Sequence, residues 1–248
     1  DHYRTRMSHT LEVATFSRVI SQVLSLNADL SEAIALAHDL GHTPFGHSGE
    51  DVLNEFTKDI GGFEHNKQSL RVVEYIERKY AEFPGLNLTY ETREGIIKHF
   101  TRYDQPQDKT LFVLDEQFLS LEAQTVNAAD EIAYTCHDID DGLSSKILIW
   151  EELEKGFPLW FEISRKIRKN NKNIDDEILR SLCVRELVNA LVTDVIIESQ
   201  KRLDKAKPKN ADAVRRITYP LIYFSSEIEN QLKYAGAFLF QNMYKHYK

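Results

Sequence analysis

The chain of 248 residues is long enough to bury a substantial hydrophobic core, as one large domain or two small ones. Its 42% hydrophobic and 28% charged residues are typical of a soluble globular protein, and no apolar run approaches the roughly 20 residues that span a bilayer. The formal net charge of −8 argues against general nucleic-acid affinity, because phosphate binding depends on clustered Lys and Arg. An anionic substrate would therefore need a local positive site, and we expect a cytoplasmic protein with no membrane partner.

The first predicted helix begins near Ser8. From residue 8 to residue 26, apolar residues recur at three- and four-residue spacing, as on one face of an amphipathic helix. Ser8 is the expected N-cap, which places His9 in the first turn. A second, alanine-rich helix is predicted from about Ser31, with Gly41 just past its end.

Three of the nine histidines and two carboxylates lie within fourteen residues, AHDLGHTPFGHSGE at positions 37–50. Neutral imidazole and carboxylate are good ligands for Mn, Fe, Co, Ni or Zn, and His38 and Asp39 can place one of each on the same ion. Two adjacent ligands cannot complete a coordination sphere, so others must come from elsewhere, and His9 and Asp130 are the candidates. The structural alternatives are a capping or core role for His9, a helix-end imidazole and a surface carboxylate at positions 38 and 39, and a solvated Asp130.

Within the same stretch, Thr43 and Pro44 predict the start of a third helix, as a cap followed by proline at the first helical position. His47 and Glu50 would then lie three residues apart on one face of that helix. A carboxylate beside an imidazole can orient the ring and raise its pKa, which suits a general acid. The alternative is that His47 is structural and Glu50 is an ordinary exposed residue.

Two further helices are predicted before residue 120. A glycine turn at positions 61–62 precedes a helix from about Glu64 to Tyr80, with His65 in its first turn, where free backbone N–H groups favour anions. A shorter helix is predicted at about 91–100, followed by a polar loop.

A long helix is predicted from about Leu121 to Asp140. Asp130, Tyr134 and Asp138 recur every four residues and would form one polar stripe along it. Such a stripe, with a carboxylate suited to a metal at one end, could follow a ligand lengthwise, although Tyr134 by its chemistry alone fits a core equally well.

The remainder of the chain, from residue 147, is predicted to be helical but carries no chemical motif. A long amphipathic helix is expected at 179–203, a charged linker at 204–211 and an aromatic-rich helix at 228–247, while the apolar stretch 217–224 could be extended or an interface. No alternation of strands and helices appears, so we predict an all-α fold.

The order of these candidates, His, then His-Asp, then Asp, is the pattern of the HD-domain metal-dependent phosphohydrolases. Four stretches more specifically resemble the deoxyguanosine triphosphate triphosphohydrolase-like family: RTRMSHTLEV at 4–13, the residues from 38 to 50, FEHN at 63–66, and DEIAY through HDIDDG at 130–142. The resemblance is specific from about residue 1 to 143. It implies an HD-domain helical bundle with additional C-terminal helices, with a catalytic core at 1–145 and a helical extension at 146–248 packed on it. Family members carry a further N-terminal segment that contributes to nucleotide binding, so we expect part of the site to precede Asp1.

The resemblance implies hydrolysis of deoxynucleoside triphosphates, dGTP or a broader set, to deoxynucleoside and tripolyphosphate. One divalent transition metal, Mn, Fe, Co, Ni or Zn with Mn favoured, would be held by four ligands: His9, His38, Asp39 and Asp130. It would polarise an α-phosphate oxygen and lower the pKa of a water molecule. His47, kept charged by Glu50, would protonate the leaving sugar oxygen.

The resemblance also assigns the substrate contacts. Arg6, His42 and His65 would bind phosphate oxygens, with Mg²⁺ on the β and γ phosphates. Tyr134 and Asp138 match positions near the sugar, where Asp138 could accept a hydrogen bond from the 3′-hydroxyl.

Two alternatives remain open. Another HD-domain nucleotide phosphohydrolase, such as a 5′-nucleotidase or a phosphodiesterase, would share the metal ligands, and a nucleotide-sensing oligomeric module would share the fold. The family further implies a homo-oligomer, dimeric or larger, and a regulatory nucleotide between subunits. Binding of single-stranded DNA is a family-level property that this acidic composition does not support. The base preference is left open.

Overall fold

The computed structural model describes residues 4–100 and 118–244, apart from the side chain of His47. In these ranges the chain forms helices and no strand, with one isolated β-bridge between Arg78 and Gly85. The predicted all-α class is therefore confirmed. The helices are α1 (Arg6–Val23), α2 (Ala28–Ala37), α3 (Gly46–Phe56), α4 (His65–Arg71), α5 (Tyr90–Ile97), α6 (Leu121–Ser144), α7 (Trp150–Gly156), α8 (Pro158–Asn170), α9 (Asp176–Ala206), α10 (Ala211–Arg215) and α11 (Ser226–Leu239). None of these described helices combines the length and the apolar character needed to cross a membrane.

Helix α1 begins at Arg6, because its N-cap is Thr5, three residues before the expected Ser8. The backbone N–H of Ser8 donates to Thr5 Oγ1 at 3.2 Å, and the backbone N–H of Thr5 donates to Ser8 Oγ at 3.0 Å. This reciprocal capping box satisfies two N–H groups that a helix end leaves free. His9 still lies in the first turn, as predicted.

Helix α3 begins later than expected, and Thr43 and Pro44 do not cap it. Phe45 and Gly46 adopt left-handed backbone angles, with φ of 65° and 60°, which keep the helix from starting earlier. The Thr43 hydroxyl donates instead to the carbonyl of Gly46 at 2.8 Å and closes the turn before the helix.

The helix predicted at 64–80 is also shorter. Its α-helical part ends at Arg71 and is followed by a π-helical turn, Val72–Ile76. The backbone N–H of Leu86 donates to the carbonyl of Val73 at 2.8 Å. A later segment of the chain thus satisfies a carbonyl within the π-helical turn.

Close packing of small residues brings the N-terminal helices together. Helix α1 packs against α2 and α6, and a buried cluster between them includes Ala14, Ala35, Ala129 and Ala133. Because alanine side chains are short, the three helix backbones approach closely, and polar residues at their ends come within reach of one another.

The largest core lies around α6 and α9. It contains Ile132 and Ile139 from α6 and also Trp160, Leu187 and Phe224 from beyond residue 145. Apolar side chains from both parts of the chain thus pack against α6, while the boundary at residue 145 stays a prediction.

Candidate functional site

Three side chains from three different helices meet at the centre of the site. His9 projects from α1, His38 caps the C-terminal end of α2, and Asp130 lies in the middle of α6. His9 Nε2 is 2.9 Å and His38 Nε2 3.8 Å from Asp130 Oδ1. Each residue offers one ligand atom, and the three atoms lie within 4.8 Å of one another. This set, with its two imidazoles and one carboxylate, could hold a divalent metal ion.

The second ring nitrogen of each histidine supports this interpretation. His38 Nδ1 donates to the carbonyl of Ala35 at 2.6 Å, which leaves the lone pair of Nε2 directed toward Asp130. His9 Nδ1 lies 3.3 Å from His137 Nδ1, and His137 Nε2 lies 2.6 Å from Glu12 Oε2. A hydrogen-bond chain from His9 through His137 to the Glu12 carboxylate thus frees Nε2 of His9 for a metal. The three ligand atoms therefore fit a divalent metal ion.

The charge states also suit a metal site. Burial, the largest effect, raises the pKa of Asp130, but its hydrogen bonds with His9 and His99 and the charge of His38 together hold that pKa well below its ordinary value. Burial lowers the pKa of His38. For His9, burial lowers the pKa, but the hydrogen bond and charge of Asp130 outweigh burial and the net pKa is raised. A metal therefore finds an ionised carboxylate and a neutral His38, whereas His9 holds its proton more tightly than a free imidazole does.

Asp39 lies outside this set in the described structure. Its Oδ2 accepts a hydrogen bond from Arg6 Nη1 at 2.5 Å, while Arg6 Nη2 lies 2.9 Å from His42 Nδ1. One guanidinium thus contacts two residues of the loop after α2, Asp39 and His42. Coordination of a metal by Asp39 stays a prediction.

A second polar group surrounds His65, the first residue of α4. Glu50 Oε1 accepts from the backbone N–H of His65 at 2.9 Å and lies 3.1 Å from its Nδ1. The rings of His65 and His42 are 5.1 Å apart. The side chain of His47 lies outside the described residues, so the predicted pairing of His47 with Glu50 stays a prediction.

Glu50, Glu64 and His65 also place one ligand atom each within 4.8 Å of the others. Their carboxylates already have hydrogen-bond donors, because Glu64 accepts from the backbone N–H groups of Asn66 and Lys67 at the start of α4 and Glu50 accepts from His65. These hydrogen bonds explain why the three side chains lie close together, so no cation is needed to explain the cluster.

The polar stripe of α6 runs from Asp130 through the half-buried Tyr134 to Asp138. Asp138 accepts a hydrogen bond from the hydroxyl of Tyr244. Burial raises the pKa of Asp138 to about 6, although the bond from Tyr244 opposes that rise. Contacts of Tyr134 and Asp138 with a sugar stay predictions.

The sequence analysis missed two histidines. His99, 2% exposed, places Nε2 3.3 Å from Asp130 Oδ2, and its ring centroid lies 4.8 Å from that of His38. His137 belongs to a motif segment but received no role. A histidine directly after the apolar end of α5 carries no spacing signal, because its partners are distant in sequence.

Comparisons with known proteins identify the family of the chain. The family model of the HD domain matches residues 6–135, more than half of the chain, and this range includes His9, His38, Asp39 and Asp130. The chain is 46% identical over 248 residues to a "deoxyguanosinetriphosphate triphosphohydrolase-like protein" of Geobacter sulfurreducens, covering 100% of this chain and 64% of that protein. Proteins of the same name from Ralstonia nicotianae and Parvibaculum lavamentivorans are 47% and 40% identical over 252 and 265 residues; each match covers 100% of this chain and 64% and 66% of the relative. The chain thus spans about two thirds of the length of these relatives.

Proposed function

The chain belongs to the HD-domain family, and we propose that it is a metal-dependent hydrolase that converts deoxynucleoside triphosphates, dGTP or a broader set, to deoxynucleoside and tripolyphosphate. The names of its relatives support this substrate class. The observation that carries the proposal is the connection that Arg6 makes within the loop after His38. Its guanidinium contacts both Asp39 and His42, and the ring of His42 lies 5.1 Å from that of His65.

This connection suits a triphosphate. With a net charge of −8, the chain needs a local positive site for such a substrate, and the half-exposed Arg6 guanidinium, 2.9 Å from the imidazole of His42, supplies one. Guanidinium groups bind phosphate oxygens through parallel N–H donors. Arg6, His42 and His65 are therefore proposed to hold phosphate oxygens, with Mg²⁺ on the outer phosphates.

In the proposed reaction, a water oxygen bonds to the α-phosphorus, and the bond between that phosphorus and the sugar 5′-oxygen breaks. The leaving oxygen must take up a proton, and His47, in the first turn of α3 three residues before Glu50, is proposed to donate it. Glu50 fixes the orientation of His65 through two contacts. A divalent ion at the set of His9, His38 and Asp130, with Asp39 as a proposed further ligand and Mn²⁺ favoured, would supply Lewis-acid polarisation of a phosphoryl oxygen. Tyr134 and Asp138 are proposed to contact the sugar.

Product analysis tests this proposal. The purified protein is incubated with each deoxynucleoside triphosphate and Mn²⁺ or Mg²⁺, and the products are separated by ion-exchange chromatography. We expect nucleoside and intact tripolyphosphate, both lost in Asp130→Asn. Monophosphate or diphosphate products would overturn the proposal in favour of another HD-domain phosphohydrolase, and absence of turnover by metal-loaded protein would favour a nucleotide-sensing module.

We also propose that the protein is a homo-oligomer, dimeric or larger. In and after α11, Tyr234, Phe240 and Tyr244 expose aromatic surface, which supports a contact with another subunit. Light scattering of the eluting protein measures its mass, and a mass that rises on addition of dGTP would support a regulatory nucleotide between subunits. A monomeric mass at all concentrations would contradict the proposal.

A further inference from the structure

His99 lies beside the metal-type set but belongs to none of the motifs in the sequence. It follows the end of α5, and the Asn66 side chain of α4 donates to its carbonyl at 2.9 Å. Its side chain is buried, with the ring against that of His38 at a centroid distance of 4.8 Å. The bond from Asn66 thus fixes the backbone of His99, while burial and the ring of His38 leave the imidazole little freedom to turn away.

The two oxygens of Asp130 face different partners. Oδ1 lies nearest to His9 Nε2 and His38 Nε2, at 2.9 and 3.8 Å, whereas Oδ2 lies 3.3 Å from His99 Nε2. A carboxylate that binds a metal through one oxygen has a second oxygen to satisfy, and in a buried site that oxygen needs a hydrogen-bond donor.

We propose that His99 is a positioning residue whose Nε2–H donates to Asp130 Oδ2 and thereby directs Oδ1 toward the metal between His9 and His38. The inference rests on the metal site of the proposed function. His99 lies outside the His, His-Asp, Asp pattern of the sequence.

The tautomer of His99 follows from its surroundings. Among the described residues, its buried Nδ1 has no hydrogen-bond partner. A proton on Nδ1 would leave a buried donor unsatisfied, which costs more than an unused acceptor lone pair on a neutral ring. The proton therefore resides on Nε2, where Asp130 accepts it.

Two amide substitutions separate this role from simple packing. Glutamine places its amide nitrogen near the position of Nε2 and can still donate to Oδ2, whereas the shorter asparagine places its amide near Nδ1 and cannot reach. We expect His99→Asn to weaken the binding of Co²⁺ to the metal-free protein by about 10- to 100-fold, the usual effect of removing a partner of a metal ligand. On a logarithmic scale, the Co²⁺ affinity of His99→Gln should lie closer to that of the wild type than to that of His99→Asn.

The readout is a titration of metal-free protein with Co²⁺, followed by its visible absorption and by competition with a chelator. Ile97→Val, a buried change on α5, controls for packing, and thermal unfolding of each metal-free variant controls for folding. Failure of the wild type to bind Co²⁺ would refute the proposed metal site itself. Equal affinities of wild type and His99→Asn would overturn only the role of His99. If both amide variants lose affinity equally and alter the spectrum, His99 is a ligand and not a hydrogen-bond donor.

Discussion

One guanidinium joins two residues of the loop that follows α2. Arg6 lies one turn before His9 on α1, and its two terminal nitrogens contact Asp39 and His42 at 2.5 and 2.9 Å. The planar fork of arginine makes both contacts at once, which the single ammonium of lysine cannot do.

Arg6→Lys is therefore expected to impair catalysis without removing the metal. Loss of one charge-assisted contact, worth about 1.5–3 kcal/mol, should lower kcat/KM for a deoxynucleoside triphosphate by about 10- to 100-fold. Steady-state kinetics measures this effect, and metal analysis should give unchanged occupancy. Arg18→Lys, which alters a surface arginine of the same helix paired with Asp29 and Glu32, is the matched control. Unchanged kinetics in Arg6→Lys would argue against phosphate binding at this residue.

Asp138 makes the stability of the metal-free protein depend on pH. Burial raises its pKa from the ordinary value of 3.8 to about 6, so the folded protein holds this proton more tightly than the unfolded chain does. The stabilisation from the protonated carboxyl is complete below pH 3.8 and is lost as the pH rises through about 6.

Asp138→Asn removes this titration and retains an acceptor for the Tyr244 hydroxyl. Between pH 5 and 7.5, the free energy of unfolding of the wild type should fall relative to that of the variant by about 1–1.5 kcal/mol. Urea unfolding of both proteins across this range measures the difference. Parallel curves for the two proteins would show that Asp138 titrates normally.

The sequence predicted the three central residues but only part of their surroundings. His9, His38 and Asp130 carry a recognisable order, and the structure brings them together although Asp130 lies 92 residues beyond His38. Consecutive residues near a helix end point about 100° apart, so adjacency to His38 alone does not fix the direction of Asp39. Its carboxylate contacts Arg6, and its coordination of a metal stays a prediction. His99 reaches the site from α5 through tertiary packing, and no local spacing encodes such a contact.

At the scale of elements, the loop after α2 is fixed against α4. The backbone N–H of Gly41 donates to Ser69 Oγ at 2.8 Å, and that hydroxyl donates to the carbonyl of His38 at 2.9 Å. A Cβ at Gly41 would lie 2.2 Å from the backbone nitrogen of Ser69 and 2.4 Å from the carbonyl oxygen of His65. Only glycine permits this approach, which also brings His42 toward His65.

Gly41→Ala should therefore separate the loop from α4. We expect a loss of about 1–3 kcal/mol in the free energy of unfolding, as for other overpacked sites, together with a fall in activity. Urea unfolding and the product assay measure the two effects. Leu40→Ala, a change at the neighbouring half-exposed position, is the control and should have little effect. An unchanged free energy of unfolding in Gly41→Ala would show that the loop after α2 and α4 can move apart at little energetic cost.

The element boundaries that the sequence misplaced depend on side chains rather than on periodicity. The long α6 was predicted from about Leu121 to Asp140 and runs from Leu121 to Ser144. The start of α3 was wrong, since the Thr43 hydroxyl closes a turn through Gly46 rather than capping a helix. A threonine followed by proline is compatible with both arrangements, and only the backbone angles of the next two residues distinguish them.

At the scale of the whole molecule, a buried ion pair joins the two parts of the chain. Glu94 of α5, 1% exposed in its side chain, accepts from Arg215 Nη2 of α10 at 3.0 Å and also contacts Lys98 at 3.0 Å. The backbone N–H of Phe118 donates to the carbonyl of Arg215 at 2.7 Å. The C-terminal part thus supports α5, the helix that leads to His99.

Arg215→Met should destabilise the protein strongly. Of the two cations that contact the buried Glu94 carboxylate among the described residues, only Lys98 then remains. Removing one partner of a buried ion pair costs about 3–5 kcal/mol of stability. The double variant Glu94→Gln with Arg215→Met should recover part of this loss, because no buried charge is left uncompensated. Urea unfolding of the three variants gives the coupling energy, and Co²⁺ affinity should fall in Arg215→Met if α5 shifts. Asp212→Asn is the control, because its contact with Arg215 is long, at 4.0 Å, and the aspartate is exposed. A stable Arg215→Met would mean that α5, and with it His99, holds its place without this ion pair.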